Sequence, residues 1–397
     1  MIPYSKLAPS PSSALLLHPE LLQLIAAKLT DVVDYISFRG VCSSWRSAAK
    51  PGAAPKQLPW LLLPYNPAAA TRSFYSISTA KTYTFDCAAS VVGGVVCGSS
   101  FGWLALITPD SALSLWNPVT KAEIGLPPPT GFPSYLGPEA RRLVADVKSC
   151  DIDEHCFPIS LGYVRRGYPC RVSLSSSPTA PDCVVFVILE SSSAFAYCRI
   201  GEQAWTIRET NLRDAVNSVV LRDGRFYAFD SYGTGVVLGI DDPSARSDIP
   251  FSCGSLPLFG TFVTKAAGDN ELYLVHSYVG FDNDDEEVNR LDVFKLASVE
   301  EGHQWERMSS IGDLAFFLSG NHASVVRATD FPRCTGNYVY FSEGTCGDLE
   351  ELRTEGHGIY VYNIKRDRLE LKRCRMKVVS DFSRSPTWVM PSLLQRL

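Results

Sequence analysis

The 397-residue sequence has no run of apolar residues approaching the roughly 18 that a membrane-spanning helix needs, which excludes insertion as a helix. It also lacks charge of one sign. Lys and Arg number 37 against 42 Asp and Glu, and the longest like-charge cluster, DNDDEE at 282–287, is acidic. A nucleic-acid or membrane-surface partner needs a basic stripe, and LKRCRMK (371–377) is the one candidate; it reads as a solvated strand face, so both partners are excluded. The opening MIPYSKLAPSPSSALLLHPE has an apolar run too short for a signal-peptide core. The chain is therefore expected in the cytoplasm, the nucleus or both, with most of its 12 cysteines as buried, reduced thiols.

Chemical motifs are equally scarce. No GxxxxGK[ST] phosphate loop occurs, and YGTGVVLG (232–239) leads into strands instead of opening a helix. GSSFG (98–102) places Ser100 at the centre of a formal GxSxG. A nucleophile elbow needs a helix after the serine, however, and WLALITPDSALSLWN reads as a hairpin. SCDIDEHCF (149–157) gathers Cys150, Asp151, Asp153, His155 and Cys156 without paired zinc spacing, and is read as a polar loop. In DNDDEEVNRLDVF, Glu287 stands where a calcium loop needs glycine, so a solvated loop tip is expected. No cofactor, metal or catalytic residue is assigned.

What is present begins at residue 17. LHPELLQLIAAKL places Leu17, Leu21, Leu22, Ile25 and Leu29 at helical spacing, with Pro19 in the first turn, where its missing N–H costs nothing. Asp31 and Asp34 offer caps for a second helical segment carrying Ile36, Phe38, Val41, Cys42 and Trp45. Two helices this short cannot make a core alone and need a partner surface, either the rest of the chain or another protein.

From about residue 60 the pattern changes to short β-rich runs broken by Gly, Pro, Asp and Asn. Candidate strands include VVGGVVC (91–97), WLALI (103–107), LSLWN (113–117), CVVFVIL (183–189), AFAYCRI (194–200), RFYAFD (225–230), GVVLGI (235–240), ELYLVHSY (271–278), LDVFKL (291–296), NYVYFS (337–342) and GIYVYNI (358–364). DGRFYAFD, DNELYLVH and TGNYVYFS each join a tight turn to an aromatic strand. Trp205 and Trp305 each follow a polar turn, as in the link between the third and fourth strands of a propeller blade. The fold class is therefore mainly β: a small N-terminal helical module, then a β-propeller-like (kelch-like) domain, with a two-sheet sandwich as the alternative and the blade count open.

Residues 17–50, with a Leu-Leu pair, an Asp-led turn and then Val41-Cys42 followed by Trp45, resemble an F-box. Two departures stand out: His18 separates Leu17 from Pro19, where the family has proline directly after the leucine, and Gly40 replaces a better helix former. FGWLALITPDSALSLWNPVTKAEIGLPPP (101–129), GNYVYFSEG (336–344), GIYVYNI and SPTWVMPSL (385–393) are similar to a large plant F-box group of the F-box/DUF295 type, whose C-terminal domain has no assigned function.

The resemblance implies a leader over 1–14, an F-box over 15–50, a linker over 51–70 and a β-propeller-like recognition domain over 71–397. It further implies a non-catalytic adaptor. Leu17, Pro19, Leu22, Ile25, Leu29, Val41, Cys42 and Trp45 would dock on a Skp-type adaptor, and through it on cullin and RING subunits, while the β domain recruits a target protein that the sequence does not name. Trp45 is the expected anchor, since large aromatics dominate interface energetics. A propeller enzyme or carbohydrate-binding module with an incidental helical pair is the reading from another class.

Overall fold

The computed structural model of the protein describes residues 17–63, 70–108, 110, 112–129, 171–189, 192–240, 245–252, 258–266, 270–281, 287–300, 302–319, 322–331, 333–342, 359–372 and 387–393. The leader 1–14, the Cys150–Cys156 loop and the acidic run 282–286 lie outside the described residues. The chain forms two compact units, one ending at Gln57 and the other beginning at Leu58. Within the stretch 51–70 lie a 3-10 turn at Pro51–Ala53 and the first strand of the β unit.

The helical unit contains α1 (Pro19–Lys28), α2 (Val32–Gly40) and α3 (Ser43–Ala48). Pro19 opens α1 as its spacing predicts, and the Asp31 carboxylate caps α2 by accepting from Val33 N at 2.8 Å. Where the sequence suggests one helical segment carrying Ile36 to Trp45, the chain breaks after Gly40 and restarts at Ser43. Helix α3 packs on both α1 and α2.

The β unit is a six-bladed propeller. Blade 1 holds β1 (Trp60–Leu62), β2 (Thr71–Ser76) and β3 (Lys81–Asp86), and blade 2 holds β4 (Val95–Ser100), β5 (Trp103–Ile107), β6 (Leu113–Trp116) and β7 (Glu123–Gly125). Blade 3 comprises β8 (Arg171–Leu174), β9 (Val184–Ile188), β10 (Ala194–Arg199) and β11 (Thr206–Glu209). In blade 4 follow β12 (Val216–Arg222), β13 (Arg225–Asp230), β14 (Gly235–Gly239) and β15 (Arg246–Ile249). Blade 5 is built from β16 (Leu258–Lys265), β17 (Leu272–Phe281), β18 (Glu287–Val299) and β19 (Gly302–Met308). Blade 6 has five strands: β20 (Leu314–Ser319), β21 (His322–Arg327), β22 (Tyr338–Ser342), β23 (Ile359–Asn363) and β24 (Arg368–Lys372). A final strand, β25 (Trp388–Val389), pairs antiparallel with β1 and so closes the ring.

Burial follows position in the blade. The middle strands β5, β9 and β23 are buried at every residue, because neighbouring blades cover both of their faces. That is why WLALI, VVFVI and IYVYN are uninterrupted apolar runs. The outermost strands β3 (KTYTFD) and β11 (TIRE) are largely exposed and carry charge, which blunts a free sheet edge. The three turn-plus-aromatic segments fall at β13, β17 and β22, and the turn residues Asp223, Asn270 and Asn337 all have positive φ.

In four blades the first strand faces the axis, but blade 6 departs from this. There β20 turns back into β21, and β20 then pairs parallel with β22. Strand β21 takes the inner place, lying between β16 and β25. Strand β4 approaches β8 so closely that a Cβ at Gly98 would collide with the Val172 carbonyl, so only glycine fits there. The expected strand 91–97 starts late: Ala89–Val91 forms a 3-10 turn and Gly93 takes φ 73°, which postpones β4 to Val95.

Candidate functional site

Two surfaces are candidates, one in each unit. The helical unit is held together by polar ties to backbone carbonyls. Tyr35 Oη donates to Lys50 O at 2.8 Å, and burial raises the Tyr35 phenol above its usual range against a smaller opposing effect of Arg39. Arg46 Nε donates to Arg39 O at 3.2 Å, Arg39 Nη1 donates to Ala49 O, and Gln57 Nε2 donates to Thr30 O at 2.7 Å. The Phe38 and Trp45 rings lie 4.4 Å apart, fixing α3 to α2.

With these ties in place, the helices show two unlike sides. Leu22, Ala26, Val32, Tyr35 and Phe38 are buried. Leu21, Leu24, Ile25 and Val41 are 50%, 61%, 40% and 52% exposed, and Leu17 is 36% exposed. Leu17, Leu21, Leu24 and Ile25 recur at intervals of four, three and one, a single helical face. Of the eight residues predicted for docking, the structure leaves Leu17, Pro19, Ile25 and Val41 exposed and Leu29, Cys42 and Trp45 half-buried. Leu22 turns inward at 1% exposure, and the Trp45 ring is engaged by Phe38. The sequence-based reading left out Leu24. Its i+7 spacing from Leu17 is the signal, but LLQLIAAKL is apolar on nearly every side, so spacing alone does not say which side faces inward.

The second surface is the axial channel of the propeller, a cavity of about 600 Å³ lined by the inner strands. The strand order supplies the lining, since β8, β12, β16 and β21 each present several residues to the axis and β4 ends there at Ser100. Hydroxyls and amides such as Ser100, Ser176, Thr264 and Asn217 alternate with Val172, Val219 and Phe262, and the cations are Arg171 and Lys265. Both cations touch backbone carbonyls: Arg171 Nη1 donates to Asn217 O at 3.0 Å, and Lys265 Nζ to Leu221 O at 3.3 Å. His322 also lines the channel, and burial lowers its pKa to about 4, so it is neutral near pH 7.

Ser100 ends β4, Phe101-Gly102 turn directly into β5, and β5 pairs antiparallel with β6 as the hairpin expected over WLALITPDSALSLWN, so no helix follows the serine. Its hydroxyl accepts from Leu174 N at 3.3 Å. Among the described residues no three His, Cys, Asp or Glu side chains come together as a metal site. His276 is fully buried in β17 with Nδ1 3.1 Å from Tyr278 Oη, and burial pushes its pKa down to about 4.

Comparison with known proteins supplies the remaining findings. Residues 74–363 match the family described as KIB1-4 beta-propeller. Three Arabidopsis thaliana proteins are similar to the chain over most of their own length. F-box protein At2g17036 is 24% identical, with 95% of this chain and 94% of that protein covered. F-box/kelch-repeat protein At1g57790 is 26% identical, with 93% of each covered, and F-box protein SKIP23 is 25% identical, with 94% of each covered.

Proposed function

The chain belongs to the KIB1-4 beta-propeller family, and from that premise we propose that it is a substrate adaptor of an SCF-type cullin-RING ubiquitin ligase. The observation that carries this reading is the open apolar ridge of Leu17, Leu21, Leu24, Ile25 and Val41 on the helical unit. Four of these side chains lie on one face of α1 and its approach. A row of leucines and isoleucine held in water is costly at about 25 cal/mol per Å² of apolar surface, and a groove-forming helical partner would relieve that cost. The F-box names of the relatives point to a Skp-type adaptor as that partner.

Leu24 and Ile25 are the central anchors, being side by side and unobstructed. Leu22, Phe38 and Trp45 act beneath them, holding the helices in the geometry that presents the ridge. Through the Skp-type adaptor the chain reaches cullin and RING subunits, and the propeller recruits a target protein. The work is geometric: tethering raises the effective concentration of the target near the ubiquitin-loaded enzyme, and the adaptor makes and breaks no bond itself.

The test is co-purification of the full chain with a Skp-type adaptor. Leu24→Asp combined with Ile25→Asp introduces two charges on the exposed face without touching the buried one. Loss of the adaptor with unchanged thermal unfolding is the expected result. Undiminished binding by the double variant would overturn the reading.

A further inference from the structure

One mouth of the propeller channel carries features that the adaptor reading does not use. The C-terminal ends of β4, β8, β12 and β16 gather there with the start of β21, as three hydrogen bonds show: Leu174 N to Ser100 Oγ at 3.3 Å, Lys265 Nζ to Leu221 O at 3.3 Å and Thr264 Oγ1 to Ala323 O at 3.0 Å. Gly102 joins them to the end of the chain, since a Cβ on it would collide with Ser392 and the Met390 carbonyl.

Among the described residues, no carboxylate compensates the charge at this mouth. The ammonium of Lys265 uses one of its three donors on a neutral carbonyl, and no carboxylate lines the channel among the described residues. Asp223, reached through the lining residue Asn270, is held by Asn270 Nδ2 at 2.7 Å and lies 3.4 Å from Arg222 Nε. Glu271, next along the chain, pairs with Lys295 at 3.2 Å.

The hydrogen bonding is incomplete as well. Ser176 Oγ is buried in the lining without a hydrogen-bond partner among the described residues, an arrangement that a bound polar group would satisfy. His322, neutral because of its burial, offers a ring nitrogen and no second charge.

The third feature is Phe101. It occupies the first position of a two-residue hairpin turn with φ 52°, followed by Gly102 at φ 85°. Such turns favour Asn or Gly at that position, and a bulky aromatic there is strained. Its ring gains no core burial in return: it is 45% exposed and faces the cavity beside Met390. Strain of this kind gathers where a side chain must be presented to a ligand.

We propose that this mouth binds a small organic carboxylate with an apolar body. Lys265 takes the carboxylate, and Ser176 and His322 receive the remaining polar atoms. Phe101, Met390 and Leu221 cover the body. A cavity of about 600 Å³ suits a molecule of that size. The site stands independently of the adaptor reading, since it uses none of the ridge residues.

The experiment is calorimetric titration of the full chain with two acid and amide pairs, 1-naphthoate against 1-naphthamide and decanoate against decanamide. At least one acid is expected to bind about tenfold more tightly than its amide, the factor that one charge-assisted hydrogen bond supplies. Lys265→Met should abolish that preference while leaving the amide unaffected. Phe101→Gly relieves the turn, so it folds at least as well, and should weaken acid and amide alike by about tenfold. Equal binding of acid and amide, a preference that survives Lys265→Met, or no binding by either pair would each overturn the proposal. Co-purification with a Skp-type adaptor should be unchanged in both variants, so failure here is distinguishable from failure of the adaptor reading.

Discussion

Trp388 donates its indole N–H to the carbonyl oxygen of Leu318 at 2.8 Å, so the strand that completes blade 1 is bonded to blade 6. Two other tryptophans do the same elsewhere in the ring. Trp205 of blade 3 donates to Pro127 O, beyond the last strand of blade 2, at 2.8 Å, and Trp305 of blade 5 donates to Gly233 O of blade 4 at 3.0 Å. Every second blade junction thus has an indole tie.

Removing the N–H while keeping an aromatic ring isolates the tie. Trp388→Phe should destabilise the β unit by about 1–2 kcal/mol, since the buried Leu318 carbonyl loses its donor. The melting temperature should fall by about 1–3 °C. Trp388→Ala should cost more, about 3–5 kcal/mol, because Trp388 is 1% exposed and packs on Phe317. Thermal unfolding followed by near-ultraviolet circular dichroism checks both.

The two sides of α1 should respond oppositely to truncation. Leu22→Ala empties a buried site and should lower the stability of the helical unit by about 2–5 kcal/mol. Leu24→Ala, at a position 61% exposed, should stay within about 0.5 kcal/mol. Denaturant unfolding of the two variants, read by far-ultraviolet circular dichroism, gives the comparison.

Acid should unfold the propeller partly through His276. Its folded pKa of about 4 lies below the ordinary value of 6.5, chiefly because burial opposes the charge, with Asp292 a smaller opposing influence. Between those values the unfolded chain binds more protons, so the contribution of His276 to stability is complete above pH 6.5 and is lost as the pH falls towards 4. The loss should reach about 3 kcal/mol at pH 4. His276→Gln should flatten the slope of stability against pH in that window, measured by urea titration at a series of pH values.

Cysteine reactivity should divide by burial. Cys183 and Cys198 are fully buried, and burial, ahead of the nearby Glu202 and Cys183, pushes the Cys198 thiol up to about 12. Native alkylation with iodoacetamide at pH 8 should spare both and label half-buried Cys42 faster than either. Peptide mass spectrometry after brief labelling would show the order.

Much of this architecture could be read from residue pattern. Uninterrupted runs such as WLALI and CVVFVIL mark the doubly covered middle strands, and the Asp-Gly and Asn turns before β13 and β17 mark hairpins. Blade 1 was not legible as a unit, because TRSFYS and KTYTFD carry more polar than apolar residues and its remaining strand β25 comes from far along the chain. Nor was closure, since β25 is two residues long and pairs with a strand more than 300 residues earlier. In the helical unit, spacing found the amphipathic pattern but placed Leu22 outward. The direction was decided by α3 packing across α1 and α2, a tertiary fact.

The pairing of β25 with β1 also has a consequence in time. During synthesis the edge of Trp60–Leu62 stands bare from its emergence until Trp388 and Val389 leave the ribosome, and for that whole interval it is a template for any passing strand. The nascent propeller is thus an unlatched clasp for most of its making, and chaperone dependence should be concentrated in those seconds.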